Sequence, residues 1–319
     1  MHPNSRIGLD GVVVVDKPQG ITSHDVVVRM RRILGTRRIG HVGTLDPLAT
    51  GVLPLVVGKA TRLASLLSVG DKVYSAVFLL GIATDTYDTT GEVISTEKRH
   101  DGQPRLDLAR ARAASCQFVG TFQQSPPTFS AKKIGGVRAY RLARRRQPVE
   151  PAPVEVTVRE FEVEALDGDR LHCRVTCAPG FYMRALAHDL GKSLGCGGCL
   201  EKLRREQSGS FTLNQAVTLD ELARDHEAAP GYLLPMGALL PELPSVVVTS
   251  RGSRLVAHGN SIAASEFAHG RPPGTNAGDS PRYSGAAGGK VKVYDQEGVL
   301  LAIAEGQMAS VLHPRIVLV

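Results

Sequence analysis

The sequence predicts a mixed α/β fold that carries a small β-barrel at its C-terminal end. Three observations point there. Residues 171, 173, 175 and 177 form the apolar half of an alternating strand. Residues 24–34 and 183–190 place apolar side chains at helical spacing. Near Leu243-Pro244 the composition shifts, and short strand-like runs follow. A chain of 319 residues is long enough for two domains and for a core that needs no covalent staples. The expected division is 1–244 and 245–319.

Taken in order, residues 11–15 are a valine-rich run that predicts a buried strand, ended by Lys17-Pro18. Thr22 with Asp25 resembles a capping box. It opens a helix over 24–34, with Val27, Met30 and Leu34 on one face and Arg29, Arg31 and Arg32 on the other; Gly35 stops it. That arginine face reads equally as a solvated surface or as an RNA contact. Residues 52–57 predict a strand, 59–67 a short helix and 72–80 a central strand containing Tyr74. The stretch 81–91 is polar and turn-rich. Residues 106–118 predict a helix with Leu106, Ala109, Ala113 and Cys116 as its apolar stripe, and 123–129 an exposed proline-containing loop. Residues 153–165 and 170–177 pair as a hairpin around Asp167-Gly168-Asp169, with Arg170, His172, Arg174 and Thr176 on the polar face. Pro179-Gly180 breaks that strand. The next helix buries Met183, Leu186, Ala187 and Leu190 and leaves Tyr182 and Arg184 at its start, off the apolar stripe. Residues 201–206 gather Lys202, Arg204 and Arg205 around Leu203, and Thr218 opens another short helix. Farther on, 245–249 predict a strand, 251–258 a helical turn, 290–294 and 299–304 a hairpin around 295–298, and 311–319 a closing strand. Residues 265–289, rich in Gly, Pro, Ser and Ala, read as a flexible insertion.

Charge narrows the partner. The 38 Lys and Arg exceed the 31 Asp and Glu, for a net charge of +7, a balance that suits a polyanion. The most basic segment lies within 123–150: Lys132, Lys133, Arg138, Arg141, Arg144, Arg145 and Arg146 stand there with no acid among them. Cations this dense repel one another in the free protein and order on a phosphate backbone; a merely soluble surface is the alternative. The N-terminal Met-His-Pro-Asn-Ser-Arg lacks the apolar core of a signal peptide, and no run of 18 apolar residues predicts a membrane span. Five cysteines, an odd number, fit reduced thiols in the cytoplasm. Cys196-Gly-Gly-Cys199 has zinc-knuckle spacing, but Cys173 and Cys177 fall on the apolar half of a strand and read as core, so no metal is expected.

The chemistry is expected in the stretch 40–51, Gly-His-Val-Gly-Thr-Leu-Asp-Pro-Leu-Ala-Thr-Gly. It holds one acid, Asp46. Gly40, Gly43 and Gly51 allow angles that a side chain forbids, and Pro47 pushes Asp46 off helical angles. Arg37 and Arg38 precede the stretch, and Lys59 and Arg62 follow it. A lone carboxylate among cations suits a nucleophile or a structural ion pair, and an Asp before Pro is ordinarily a turn or cap residue.

This stretch resembles the active-site motif of the TruB family of tRNA pseudouridine synthases. Val-Asp-Lys-Pro-Gln-Gly-Ile-Thr-Ser, residues 15–23, resembles that family's N-terminal motif, and Gly-Phe-Tyr-Met-Arg-Ala-Leu-Ala-His-Asp-Leu-Gly, residues 180–191, its third. The resemblance implies the pseudouridine-synthase fold, with a central mixed, largely antiparallel sheet flanked by helices and a C-terminal PUA-type RNA-binding domain. It implies that uridine 55 in the T-loop of tRNA is converted to pseudouridine by a soluble, cytoplasmic monomer without cofactor or metal. Asp46 then takes the nucleophile's position, attacking ribose or base, and Arg184 pairs with it. Tyr74 and Tyr182 contact the flipped base, and Tyr182 assists proton transfer from C5. His41 helps to extrude the base, Leu203 forms an apolar wall beside it, and the basic segment closes over the RNA. Two rival readings stand beside this one: a non-catalytic RNA-binding protein or tRNA chaperone on the same scaffold, and a zinc-dependent RNA enzyme.

Overall fold

The computed structural model describes residues 9–96, 107–127, 133–134, 137–138, 151–225, 228–268, 288–307 and 311–319. Strand β1 (Gly11–Lys17) leads into helix α1 (Ser23–Ile33), then β2 (Ile39–His41), β3 (Thr50–Val57), the short α2 (Ala64–Leu67) and β4 (Lys72–Leu80). A small hairpin, β5 (Ile82–Thr84) and β6 (Val93–Thr96), precedes α3 (Leu108–Ser115) and β7 (Gly120–Gln124). The strands β8 (Lys133–Ile134) and β9 (Val137–Arg138) pair with each other. The long hairpin β10 (Val154–Asp167) and β11 (Arg170–Cys177) turns at Gly168 and is followed by α4 (Met183–Leu194) and β12 (Gly198–Ser208). The minor strands β13 (Phe211–Thr212), β14 (Val217–Thr218) and β15 (Leu234–Pro235) and helix α5 (Leu219–Arg224) complete this part.

Among the described residues these strands build one mixed sheet in the order β14-β1-β3-β12-β4-β11-β10-β7. Only β14–β1 and β3–β12 pair in parallel; the other neighbours run antiparallel. The alternation of β4 and β11 turns Tyr74, Ala76 and Phe78 inward with Leu171, Cys173, Val175 and Cys177. Helix α4 covers that face with Leu186, Ala187 and Leu190. Fully burying each such aliphatic or aromatic side chain contributes on the order of 1.5–3 kcal/mol.

Helix α1 begins as its sequence requires. The Thr22 hydroxyl accepts from the Asp25 N–H, and the Asp25 carboxylate accepts from the Thr22 N–H at 2.9 Å. Its buried face is Val26, Val27 and Met30, with Leu34 at the C-cap. The stripe expected on α3 is wrong in phase. Ala109, Ala113 and Cys116 are exposed, and Ala111 and Ser115 are buried, because the helix starts at an Asp107 cap and turns that side onto β10. Leu106 lies outside the described residues. Residues 201–206, given no element by sequence, are the middle of β12, the strand joining β3 to β4.

Apart from the separate pairs β5–β6 and β8–β9, the strands up to Pro235 belong to the large sheet; those from Ser245 onward form a four-stranded one of β16 (Ser245–Val247), β17 (Lys290–Tyr294), β18 (Leu300–Gln307) and β19 (Val311–Val317), with helix α6 (Ser250–Ala257) against it. Isolated bridges join Val248 to Phe267 and Ile262 to Leu312, so residues 262–267 reach both edges of this sheet. Four of the residues expected to begin a flexible insertion, 265–268, are therefore ordered: Glu266 accepts from the Thr249 hydroxyl at 2.8 Å, and the Ala268 N–H donates to Val247 at 2.9 Å. One apolar cluster runs from Val12, Val52 and Leu63 into Val247, Tyr294 and Ile303, so the two sheets share a core. No helix among the described residues is long and apolar enough to cross a membrane.

Gly51 stands at φ +99°, and a Cβ there would sit 2.2 Å from the carbonyl oxygen of Arg205 on the neighbouring strand. Gly40 has no positive φ, and a Cβ there meets its nearest neighbour at an ordinary 3.6 Å. Gly51→Ala is expected to cost more than about 1 kcal/mol of stability, and Gly40→Ala to be close to neutral. Urea unfolding of the two variants checks this; equal midpoints would contradict the strain at Gly51.

Candidate active site

Asp46 lies in the loop between β2 and β3. Loop backbone lacks a ladder to bond to, so its polar groups need other partners. Here they come from motif residues. The buried Ser23 hydroxyl donates to the Leu45 carbonyl at 3.0 Å and accepts from the Leu45 N–H at 2.9 Å. Gly20 N–H donates to the Pro47 carbonyl at 2.8 Å, and Ala49 N–H to the Asp46 main-chain carbonyl at 3.0 Å. The Lys17 ammonium, wholly buried, donates to Pro18 at 2.9 Å, Ile21 at 2.7 Å and Pro47 at 3.4 Å. Leu45, Leu48 and Ala49 anchor the loop in the core on either side. Asp46 stays 41% exposed between them.

Arg184, two residues beyond the start of α4's cap at Tyr182, points at this carboxylate. Its Nε donates to Asp46 Oδ2 at 2.8 Å, and its Nη1 donates to the Thr86 carbonyl at 2.9 Å and lies 3.7 Å from Asp88 Oδ2. Sequence placed Arg184 off the apolar stripe, and so it is; yet the side chain is only 7% exposed, because the 84–90 turn covers its outer side. Asp88 is buried too, and accepts from the Thr86 hydroxyl at 2.9 Å and the Thr90 N–H at 3.0 Å.

A cavity of about 330 Å³ opens over the pair. Asp46, Tyr74, Tyr182, Arg184 and Leu203 all line it, together with Lys72, Phe181 and Arg205. Five of the six side chains expected at the base and nucleophile are thus brought together. His41 is not among the lining residues; it ends β2, paired with Leu55. Of the basic segment, Lys133 and Arg138 fall on β8 and β9, while Lys132, Arg141, Arg144, Arg145 and Arg146 lie outside the described residues.

The cations next to Asp46 are not its sequence neighbours. Arg38 donates to the Thr61 hydroxyl at 3.2 Å and Arg62 to the Val317 carbonyl. The site instead draws on Arg184, Lys17 and Arg205. Arg205 is 1% exposed; its Nε donates to Val52 at 2.7 Å and its Nη2 to Gly43 at 3.1 Å, tying β12 to both ends of the Asp46 loop. Gly43 sits at φ +73° with the guanidinium packed against it. Burial raises the Tyr74 hydroxyl above its ordinary range, against the pull of the neighbouring Arg205, so the ring is neutral. Burial likewise pushes Lys17 down to about 8, although Asp46 favours its charge. Cys173 and Cys177 are core residues, and burial pushes the Cys177 thiol up to about 12 and that of Cys199 to about 11.

Sequence reasoning missed Lys17, Asp88 and Arg205 as parts of the site. Two had a signal. Residues 13, 15 and 17 share one strand face, as do 203 and 205, so Lys17 and Arg205 follow buried apolar residues inward. Asp88 had only its place in a turn-rich stretch.

Comparison with known proteins agrees with this arrangement. The family model for TruB family pseudouridylate synthase (N terminal domain) matches residues 31–183. That for the tRNA pseudouridylate synthase B C-terminal domain matches 184–241. The division between the two falls inside α4, within the large sheet's own layer. A tRNA pseudouridine synthase B of Solibacter usitatus is 42% identical over 312 residues, covering 97% of this chain and 100% of that protein. One of Thermobifida fusca is 46% identical over 278 residues, covering 85% and 92%. Among solved structures, a Cbf5-Nop10-Gar1 complex contains a chain that aligns with a TM-score of 0.70 over 98% of this chain and 87% of its own, at 24% identity, which is a likeness of fold. With two family models spanning most of its length and relatives matched nearly end to end, the chain belongs to the TruB family of pseudouridylate synthases.

Proposed function

We propose that the cavity takes one uridine flipped out of the T-loop of tRNA, at position 55, and that Asp46 is the nucleophile that isomerises it. The chain is a tRNA pseudouridine synthase, an isomerase that turns uridine into pseudouridine. The observation that carries the assignment of the site is the half-exposed Asp46 carboxylate, held by Arg184 at 2.8 Å on the floor of a cavity walled by Tyr74, Tyr182 and Leu203.

A stacked uridine has no reactive atom within reach of a side chain, so the base must leave the stack, at a cost of about a few kcal/mol. The tyrosine rings and Leu203 give it a new surface to lie on. The Asp46 carboxylate attacks the ribose or the uracil ring. The N1–glycosidic bond breaks, the uracil turns, C5 bonds to the ribose carbon as the bond to Asp46 is released, and the proton on C5 leaves with help from the Tyr182 hydroxyl while N1 takes up a proton. Substrate and product are isomers, so the step consumes no oxidant, nucleotide or second substrate. Arg184 pairs with the carboxylate and aims it. His41, outside the cavity wall, fits a role in opening the RNA around the extruded nucleotide. The basic segment 123–150 supplies phosphate contacts, and 245–319 reads as a second, PUA-like RNA-binding domain beside the catalytic one at 1–244. A chaperone without catalysis is not favoured, since the carboxylate, its cation and both rings stand together.

Asp46→Asn is expected to abolish tritium release from a T-arm RNA carrying 5-tritiated uridine, with RNA binding retained; release near the wild-type rate would remove Asp46 from the nucleophile's place. Neutralising Arg144, Arg145 and Arg146 together is expected to flatten the slope of log K against log salt by about 2–3, from roughly 0.7–0.9 per lost phosphate contact. An unchanged slope would take these residues off the RNA.

The Lys17 ammonium gives a pH dependence of definite sign. Its folded-state pKa, about 8, lies below its ordinary 10.5. Between those values the unfolded chain binds the extra proton, so this group's contribution to stability rises with pH. Activity moves the other way, because the deprotonated amine loses a donor to the loop carbonyls and the charge facing Asp46. The single-turnover rate should fall above about pH 8 without a fall in Tm, and Lys17→Arg should flatten that limb. An unshifted limb in that variant would assign it to another group.

A further inference from the structure

Gln124 is a polar side chain that the reaction as described does not use, yet it is only 1% exposed. It is the last residue of β7, the edge strand paired with β10. Its amide spans 58 positions of sequence to reach one residue: Nε2 donates to the Tyr182 carbonyl at 3.1 Å, and Oε1 accepts from the Tyr182 N–H at 3.0 Å. Only one orientation of the amide satisfies both bonds, so the pair fixes its own assignment.

Tyr182 accepts the first bond of α4 at its carbonyl, from the Leu186 N–H at 3.1 Å, and the amide adds a second donor there and an acceptor for the N–H. Tyr182 is the N-cap of α4, and its own side chain makes no capping bond. The approach to it, residues 178–181, contains Pro179, which has no N–H to give. Ala178 N–H is bonded to Thr157, four residues upstream of the cap. Phe181 packs edge-on against Phe122, ring centroids 6.3 Å apart, two residues before Gln124 on the same strand. That apolar contact sets how close the segment lies to β7 but is non-directional. The amide adds direction. It fixes the rotation of the peptide planes on both sides of Tyr182, and so the angle at which the ring enters the cavity.

We propose that Gln124 is a positioning residue for the isomerisation, acting through Tyr182 by holding both of that residue's backbone polar groups. The inference rests on the reading of Tyr182 as the ring against the uracil. A misplacement of about 1 Å at such a ring is worth up to ~10²-fold in rate. Removal of the clasp therefore lowers kcat and leaves KM for tRNA, set by distant phosphate contacts, where it was.

Four variants of the full chain test it by single-turnover tritium release, with Tm measured on each. Gln124→Met keeps the length and loses both bonds; its rate should fall about tenfold or more with KM unchanged. In a Tyr182→Ala background the same change should cost nothing further, because the group it positions is gone. Gln124→Glu keeps the acceptor for the N–H and loses the donor to the carbonyl. Protonation restores that donor, so this variant's rate should rise as pH falls toward 5, a limb the wild type lacks. A wild-type rate in Gln124→Met beside a slow Tyr182→Ala overturns the clasp alone. A wild-type rate in Tyr182→Ala overturns the reading of the ring, and the clasp with it. Equal losses from Gln124→Met in both backgrounds would reduce Gln124 to a structural residue. If Gln124→Met does not fold, the acid limb of Gln124→Glu decides, and its absence rejects the proposal.

Discussion

The site depends on the burial of one guanidinium. A cation taken out of water is costly unless it is paired and hydrogen-bonded, and Arg184 meets that cost with two carboxylates and a carbonyl. The two carboxylates are not equivalent. Asp88 is buried, its Oδ1 taken by the threonines of its turn and its Oδ2 facing Arg184, whereas Asp46 is 41% exposed and faces the cavity. One acid is therefore committed to holding the cation and the other is held by it. That asymmetry leaves a single carboxylate with an open side toward a ligand, in a place where an unpaired acid would turn freely.

A second constraint follows from the loops. Asp46 sits in a loop without a strand ladder, and Tyr182 at the cap of α4, where the Leu186 N–H donates to its carbonyl. In each case one buried polar side chain adds a two-point grip on the backbone: Ser23 binds the N–H and carbonyl of Leu45, next to Asp46, and Gln124 binds those of Tyr182. Lys17 and Arg205 add carbonyl contacts at the flanks of the Asp46 loop. The sheet provides the fixed points, since β1, β3, β12 and β4 are contiguous and all but β1 reach the cavity through a residue or an adjoining loop. The two groups proposed to react thus sit on backbone held at several points by the sheet and its buried side chains.

How much of this could be read in the sequence follows from the range of each interaction. The α1 cap, the 167–169 hairpin and the inward face of β11 are local, set by residues two to four apart, and they stand where the pattern put them. The α3 stripe failed because small residues occupy several of its faces, so periodicity alone did not choose among them; the contact with β10 did. Arg205 and Lys17 were legible as strand positions but not as site residues, because Arg205 binds a carbonyl 153 positions away and Lys17, besides its near neighbours Pro18 and Ile21, reaches the Asp46 loop 30 positions away. Gln124 and Asp88 had no local pattern at all. Arg38 and Arg62, near Asp46 in sequence, turn elsewhere for the same reason: the loop reverses the chain, and proximity along it is no guide to proximity across the cavity.

The cations therefore divide by burial into two populations with different work. Lys17, Lys72, Arg184 and Arg205 are each at most 6% exposed, and every one of them is spent on backbone carbonyls or on Asp46 and Asp88. Burial lowers the affinity of Lys72 and Lys17 for their protons, the mark of ammonium groups placed for structure. None is turned outward to meet a phosphate. Affinity for a polyanion has to come from surface charge, which the excess of +7 leaves in supply. On the proposed reading, binding of the RNA strand and chemistry on its flipped base fall to separate residues, and the backbone of the folded chain, gripped by the buried set, connects them.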